Sequence, residues 1–337
     1  MPASSTDWVL LSLAPAPAER VQGWFEGTDG LTIRLPAERT ADAVRAAIGD
    51  ADLVISDWSS TLRFDAAEIA AAGRLSFLMS PSVGLDSLDL EALTAAGVVV
   101  ANTAGLNAPS VAEWCLAAAF AVARSVVWVD REVHDGRWPQ FELPERGSTE
   151  LAGLRVGVLG FGAVGSRVAR LFGAIGCDVA YWTRRRRPPD EEAGATWLPL
   201  EDLLARSDVL VDNLSLTPET RGLIDASRLA MLPRGAIVVD AGRGGIVDHV
   251  ALLAAIETGG VRGAAIDVFE QEPLPIDSPL RRSDRVLLSS HTASATPQAL
   301  ARMFGRVSDN IRRAIAGEPV EGVVNGLDPV ARRRTTR

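Results

Sequence analysis

The stretch VGVLGFGAVGSRVARLF, residues 156–172, decides how the chain is read. An apolar run suited to a buried strand leads into Gly160, Gly162 and Gly165, and an amphipathic segment follows. In a chain with 30 glycines the spacing GxGxxG is a weak signal by itself. Its weight comes from the strand before it and the helix after it, the setting that a dinucleotide-binding turn requires. Gly160 permits a tight turn, Gly162 lets the backbone approach a pyrophosphate, and Gly165 lets the helix pack on the strand. Ala163 and Val164 complete the turn, and the first helical N–H groups face the phosphates with the positive end of the helix dipole. The competing reading is an ordinary strand–helix turn.

The next strand, CDVAYWT (177–183), ends on Thr183 and runs into Arg184–Arg187. A site for NAD usually places an acid here, about 20 residues beyond the glycines, to hold the ribose 2′-hydroxyl. No acid occurs before Asp190. A guanidinium at this place pairs instead with a 2′-phosphate, so the run points to NADP(H), with NAD(H) possible. Arg184 and Arg185 are the expected contacts. The competing reading is a solvated charge run, which some of the four must be, and Arg186 and Arg187 are held loosely as further contacts.

The surrounding composition narrows the classes. The chain has 337 residues, enough for two domains. Its net charge of −9 argues against general affinity for nucleic acid or an anionic membrane. Every basic side chain is arginine, which excludes Schiff-base chemistry on lysine. Cys115 and Cys177 sit among apolar neighbours and read as buried thiols in a reducing, cytoplasmic setting. The opening MPASSTDWVLLSLA lacks the positive charge of a signal peptide, so WVLLSLA reads as a first strand. No apolar run is long enough to span a membrane. Strands and helices then alternate to residue 104, and again from residue 154, which predicts two doubly wound α/β halves with parallel sheets. Residues 109–133 read as one long helix, residues 297–316 as a final helix, and ARRRTTR (331–337) as a disordered tail.

Taken in order, SPSVGLDSLDLEAL, NTAGLNAPSVAEW, the glycine loop, LTPETRGLID, VVDAGRGGIVD, GAAIDVFEQEPLP and LLSSHTASAT resemble the D-isomer-specific 2-hydroxyacid dehydrogenases over nearly the whole chain. YWTRRRRP and SLTPET are most similar to the NADPH-dependent glyoxylate/hydroxypyruvate reductases of that family. The resemblance implies a Rossmann cofactor domain at 105–292. It also implies a discontinuous, flavodoxin-like substrate domain from 1–104 and 293–337, with the active site in the cleft. It further implies a small 2-oxo or 2-hydroxy acid as substrate and a homodimer.

Reducing a 2-oxo acid needs a hydride donor, a proton donor for the carbonyl oxygen and a cation for the carboxylate. Of three histidines, His134 and His249 read as structural or solvated, while His291 closes a strand at a sheet's carboxyl edge. The resemblance makes His291 the acid, Glu272 (rather than Glu270) the carboxylate that fixes its tautomer, and Arg243 the carboxylate-binding guanidinium. It also implies backbone N–H donors to the substrate at Val83 and Gly84. Asp267 would bond the nicotinamide amide, Leu214 and Ser215 would lie along the cofactor, and Ala241 and Ser294 would lie near its ring. Trp114 and Asn213 stand where the family often has histidine, and Ser215 where it often has proline. Two other readings stay open: a cofactor-binding scaffold like the dehydrogenase-like corepressors, and a relative acting on formate or phosphite.

Overall fold

The computed structural model describes residues 7–59 and 61–334. The chain forms two compact units, one from residues 1–107 with 297–337 and the other from residues 108–296. The opening MPASST and the last three residues of ARRRTTR lie outside the described residues.

In the first unit five parallel strands, β1 (Trp8–Ser12), β2 (Leu31–Arg34), β3 (Leu53–Ile55), β4 (Phe77–Met79) and β5 (Val99–Ala101), stand in the order β2-β1-β3-β4-β5. Central strands such as Leu53–Ile55 are apolar at every position, because helices cover both faces of a parallel sheet. Helix Pro297–Ala316 returns to this unit and packs Val307, Ile311 and Ala314 among Leu10, Ile55 and Phe77. The expected disordered tail is ordered through Arg334. Ala331 is buried, Arg333 Nε lies 3.2 Å from Asp52 Oδ1, and Arg334 bonds the Ala96 carbonyl at 2.6 Å. A buried acid at position 52 gives the tail its anchor, which the polar sequence of the tail does not reveal.

The second unit holds β6 (Arg155–Leu159), β7 (Asp178–Trp182), β8 (Thr196–Trp197), β9 (Val209–Asp212), β10 (Ala236–Asp240), β11 (Val261–Ile266) and β12 (Val286–Leu288). Their order is β12-β11-β10-β9-β6-β7-β8, all parallel. Strand order reverses between β6 and β9, the switch point beyond whose carboxyl ends α/β sheets bind ligands. The expected helix at 109–133 is two helices, Ala108–Ala123 and Val126–His134, bent by 60°. The break falls at Ser125, which adopts a left-handed φ of 50°. No proline or glycine marks it. What changes there is the setting. The first helix buries Ala112, Cys115, Ala119 and Ala123 in the core, whereas the second leaves Val126 and Val133 exposed. Among the described residues no single helix is long and apolar enough to cross a membrane. Cys115 is buried, but Cys177 is only half-buried.

Two glycines fix the packing around the switch point. A Cβ on Gly165 would lie 2.0 Å from the Gly160 carbonyl oxygen, so helix Gly165–Ala174 can rest on β6 only without a side chain there. Gly162, three residues earlier, has nothing within 4 Å of its Cβ position. Gly165→Ala should therefore cost roughly 2–4 kcal/mol in urea unfolding, and Gly162→Ala less than about 0.5 kcal/mol.

Candidate active site

The residues singled out from the sequence in the second unit lie at the carboxyl ends of β6, β7, β9, β10, β11 and β12. Gly160 leaves β6 with φ 82°, and a Cβ there would lie 2.9 Å from the Asn213 carbonyl oxygen, so this turn admits only glycine. Gly162 and Ala163 are exposed, Val164 is half-buried, and the helix begins at Gly165. Open space over Gly162, a helix start and a switch point are what a dinucleotide pyrophosphate requires, so these residues fit a nicotinamide dinucleotide. Leu214, Ser215 and Ala241 lie just beyond the ends of β9 and β10.

The arginine run separates into two pairs. Arg186 forks onto Glu192, with Nε to Oε1 at 2.8 Å and Nη2 to Oε2 at 3.2 Å. That pairing holds the Glu192 carboxyl below its usual range, and Tyr181 adds a hydrogen bond at 3.0 Å. Arg187 donates from Nε to the Phe161 carbonyl at 3.2 Å, inside the glycine loop. The Phe161 ring in turn stacks on Tyr181 at 3.9 Å between centroids. All four side chains are exposed. The Arg184 guanidinium is 4.0 Å from Glu219, and the Arg185 carbonyl accepts the Thr183 hydroxyl at 2.7 Å.

Glycines position Arg243. A Cβ on Gly244 would meet the Phe269 carbonyl carbon at 2.0 Å, and one on Gly242 would meet Asp212 Oδ2 at 2.3 Å. The loop is thus pressed between β9 and the chain after β11. Arg243 itself is half-buried and donates from Nη1 to the Gly242 carbonyl at 2.9 Å.

His291 is one of three described non-glycine residues with positive φ, at 56°. Such a conformation is uncommon outside glycine and needs support from its surroundings. Asp267 supplies it. The main-chain oxygen of Asp267 accepts the His291 N–H at 2.8 Å. Its buried carboxylate accepts the Ser289 hydroxyl at 2.5 Å, Thr292 N–H at 2.8 Å and Ala293 N–H at 2.9 Å. The cost of burying a lone carboxylate in an apolar strand is offset by the loop that it ties down. Ser294, next along, is half-buried.

The imidazole meets Glu272, with Nδ1 to Oε2 at 2.9 Å, and the other carboxylate oxygen accepts the Phe269 N–H at 2.9 Å. An ionised carboxylate only accepts, so Nδ1 carries the hydrogen and Nε2 is the nitrogen left to exchange a proton. Burial pushes the Glu272 carboxyl upward. The hydrogen bonds from His291 and Phe269 and the charges of His291 and Arg243 outweigh it and hold Glu272 below its ordinary range. Glu270, the neighbour that could be mistaken for it, is exposed and lies 3.7 Å from Arg221.

Val83 and Gly84 follow β4 in the first unit, where Asn102 Nδ2 bonds the Val83 carbonyl at 2.9 Å and Ser82 Oγ bonds that of Gly84 at 2.8 Å. Two further groups, Asp212 and Asp240, went unnoticed in the sequence. Asp212 and Asp240, register partners at the ends of β9 and β10, are fully buried, and His249 Nε2 lies 2.8 Å from Asp240 Oδ2. The expectation that His249 is structural or solvated resolves to a side chain only 13% exposed. An acid closing each of two apolar strands, VLVD and AIVVD, was the available signal. Among the described residues no cluster could hold a metal ion.

The family model for the D-isomer specific 2-hydroxyacid dehydrogenase NAD-binding domain matches residues 116–293. A glyoxylate reductase of Aeropyrum pernix is 39% identical over 274 residues, 79% of this chain and 81% of its own. A D-3-phosphoglycerate dehydrogenase of Mycobacterium bovis is 38% identical over 303 residues, 90% of this chain but 54% of its own, so the chain spans about half that relative's length. The crystal structure of a glyoxylate reductase from Paecilomyes thermophila, 26% identical, superposes with a TM-score of 0.82 over 94% of this chain and 96% of its own. Glycine turn, strand-end residues and sequence kinship agree: the chain belongs to the D-isomer specific 2-hydroxyacid dehydrogenase family and is an oxidoreductase dependent on a nicotinamide cofactor.

Proposed function

We propose that the chain reduces a small 2-oxo acid to the D-2-hydroxy acid, with NADPH preferred over NADH and with glyoxylate or hydroxypyruvate as substrate. The observation that carries this reading is the His291–Glu272 hydrogen bond in the same strand-end cluster as Arg243. When bound, the nicotinamide supplies the hydride. Arg243 grips the substrate carboxylate with its planar fork and draws charge onto the oxo oxygen. His291 gives its Nε2 proton to that oxygen, and Glu272 stabilises the imidazolium beforehand and keeps the ring turned toward the substrate. In oxidation the proton returns to Nε2.

In the same reading Leu214, Ser215, Ala241 and Ser294 flank the cofactor. Asp267 would hold the nicotinamide amide, its carboxylate being fixed by the His291 loop. The part of Val83 and Gly84 in substrate binding is carried by the resemblance alone. NADPH preference is supported by the division of the arginines: Arg186 and Arg187 are committed to Glu192 and Phe161, which leaves Arg184 and Arg185 for a 2′-phosphate. Relatives named glyoxylate reductase support the substrate class. No specific observation favours the scaffold reading or the formate and phosphite reading. A homodimer is supported by exposed apolar residues on and after the second helix of the bent pair, Val133, Trp138 and Phe141, the last two being 77% and 83% exposed. Light scattering gives the mass in solution.

His291→Ala should lower kcat by about 10²–10⁴-fold while leaving the cofactor Kd unchanged. Equal turnover by wild type and variant on every 2-oxo acid tried would end the assignment. Because Glu272 is held below its ordinary range, its support of His291 should persist from neutral pH down through pH 4.5, the ordinary carboxyl value, and fail only below it. In kcat–pH profiles the Glu272→Gln variant should therefore lie below wild type at every pH in that range. Replacing Arg184 and Arg185 by alanine should raise the KM for NADPH by about tenfold or more and spare that for NADH. The Arg186→Ala variant should leave both nearly unchanged, since Arg186 serves Glu192.

A further inference from the structure

We propose that Asp212 and Asp240 share one proton and, with His249, form a buried support that sets the position of the Arg243 loop. Asp212 and Asp240 end neighbouring parallel strands in register, so their side chains leave the same face of the sheet about 5 Å apart. Both are wholly buried. Asp212 Oδ1 accepts the Leu214 N–H at 3.0 Å, and Asp240 Oδ2 accepts His249 Nε2–H at 2.8 Å. The other oxygens, Asp212 Oδ2 and Asp240 Oδ1, have no well-formed hydrogen bond among the described residues, although the Gly242 N–H also bears on Asp240. Two carboxylates in contact and out of water cannot both be ionised. One proton between them supplies the missing donor. It resides on Asp212, because the hydrogen bond from His249 already favours the charged form of Asp240.

Burial and the charge of Asp240 drive the Asp212 carboxyl well upward, with only Leu214 N–H and Arg243 opposing them. Burial also raises Asp240, but there the hydrogen bond and charge of His249, the Gly242 N–H and the hydrogen bond with Asp212 pull the other way. Asp267 follows on the next strand, its N–H bonding the Asp240 carbonyl at 3.0 Å, and Cys115 on the core helix has its thiol pushed upward by burial and by Asp267, Asp212 and Asp240, so it stays neutral. The dyad adjoins the substrate-facing loop directly. Ala241 N–H bonds the Asp212 carbonyl at 3.1 Å, and Asp212 Oδ2 sits where a Cβ on Gly242 would fall, at 2.3 Å. Any recoil between two charged carboxylates would push on the residue preceding Arg243. Asp212, Asp240 and His249 are positioning residues in this scheme.

The proposal rests on Arg243 as the carboxylate-binding group, so its test has one arm that is free of substrate. Infrared difference spectra of wild type against Asp212→Asn at neutral pH should show a protonated-carboxyl C=O band that the variant lacks. Absence of that band overturns the shared proton whatever Arg243 does. In the kinetic arm, Asp212→Asn keeps a donor toward Asp240, and its KM for glyoxylate should stay within about twofold of wild type. Asp240→Ala strands Asp212 and His249 and should raise that KM by about tenfold or more while leaving the NADPH Kd, read by nucleotide fluorescence, unchanged. Should Asp240→Ala fold poorly, His249→Leu removes the same hydrogen bond and should shift KM in the same direction. An unchanged KM in folded Asp240→Ala or His249→Leu overturns the positioning role. Arg243→Gln run beside them separates the two ideas. If Arg243→Gln leaves KM unchanged while the infrared band is present, the carboxylate-binding reading fails and the shared proton stands.

Discussion

The active-site end of the second unit depends on one close approach, that of the Gly165 backbone to the Gly160 carbonyl. With no side chain between them, the helix starts directly over the end of β6, at the point where strand order reverses. A larger residue would lift the helix, and with it the row of N–H groups that a dinucleotide needs. The strands to one side of that point, β9 to β12, then deliver Asn213, Ala241, Asp267 and His291 to a common edge. The glycine contact is therefore a geometric datum for groups far apart in sequence.

At that edge the polypeptide resolves each burden of burying charge in a different way. Asp267 is met by three donors from the loop it carries, so its desolvation is converted into a fixed backbone for His291 in a conformation that histidine seldom adopts. Glu272 keeps its charge because two hydrogen bonds and two cations outweigh its partial burial. Asp212 gives up its charge. The same residue type, or nearly so, thus appears in three states within one cluster, set by what each oxygen meets rather than by burial alone.

Much of this was legible beforehand. Apolar runs alternating with amphipathic ones specify parallel sheets because both faces must be covered, and the glycine spacing specifies the turn because only glycine tolerates the contacts there. His291, Glu272 and Arg243 could be named from motif order. The bend at Ser125 could not, since a left-handed serine leaves no mark in composition. Nor could the partition of Arg184–Arg187, which depends on Glu192 and the Phe161 carbonyl lying across from two of the four. The Asp212–Asp240 pair was visible only as two acids closing apolar strands, and their adjacency follows from strand order, which no local pattern supplies. The tail was misread because its composition is that of a solvated segment, while its partner, Asp52, lies far away in the chain.

That tail has a consequence for how the molecule is made. Arg333 reaches both the Asp52 carboxylate and the Asp7 carbonyl, at the entry to the first strand. The second unit is one uninterrupted segment and can close as soon as residue 296 has left the ribosome. The first unit cannot, because its opening strand awaits a clasp that lies 326 residues further along the chain. During synthesis the order of completion is inverted: the part begun second is finished first, and the earliest strands stay unlatched until Arg333 arrives.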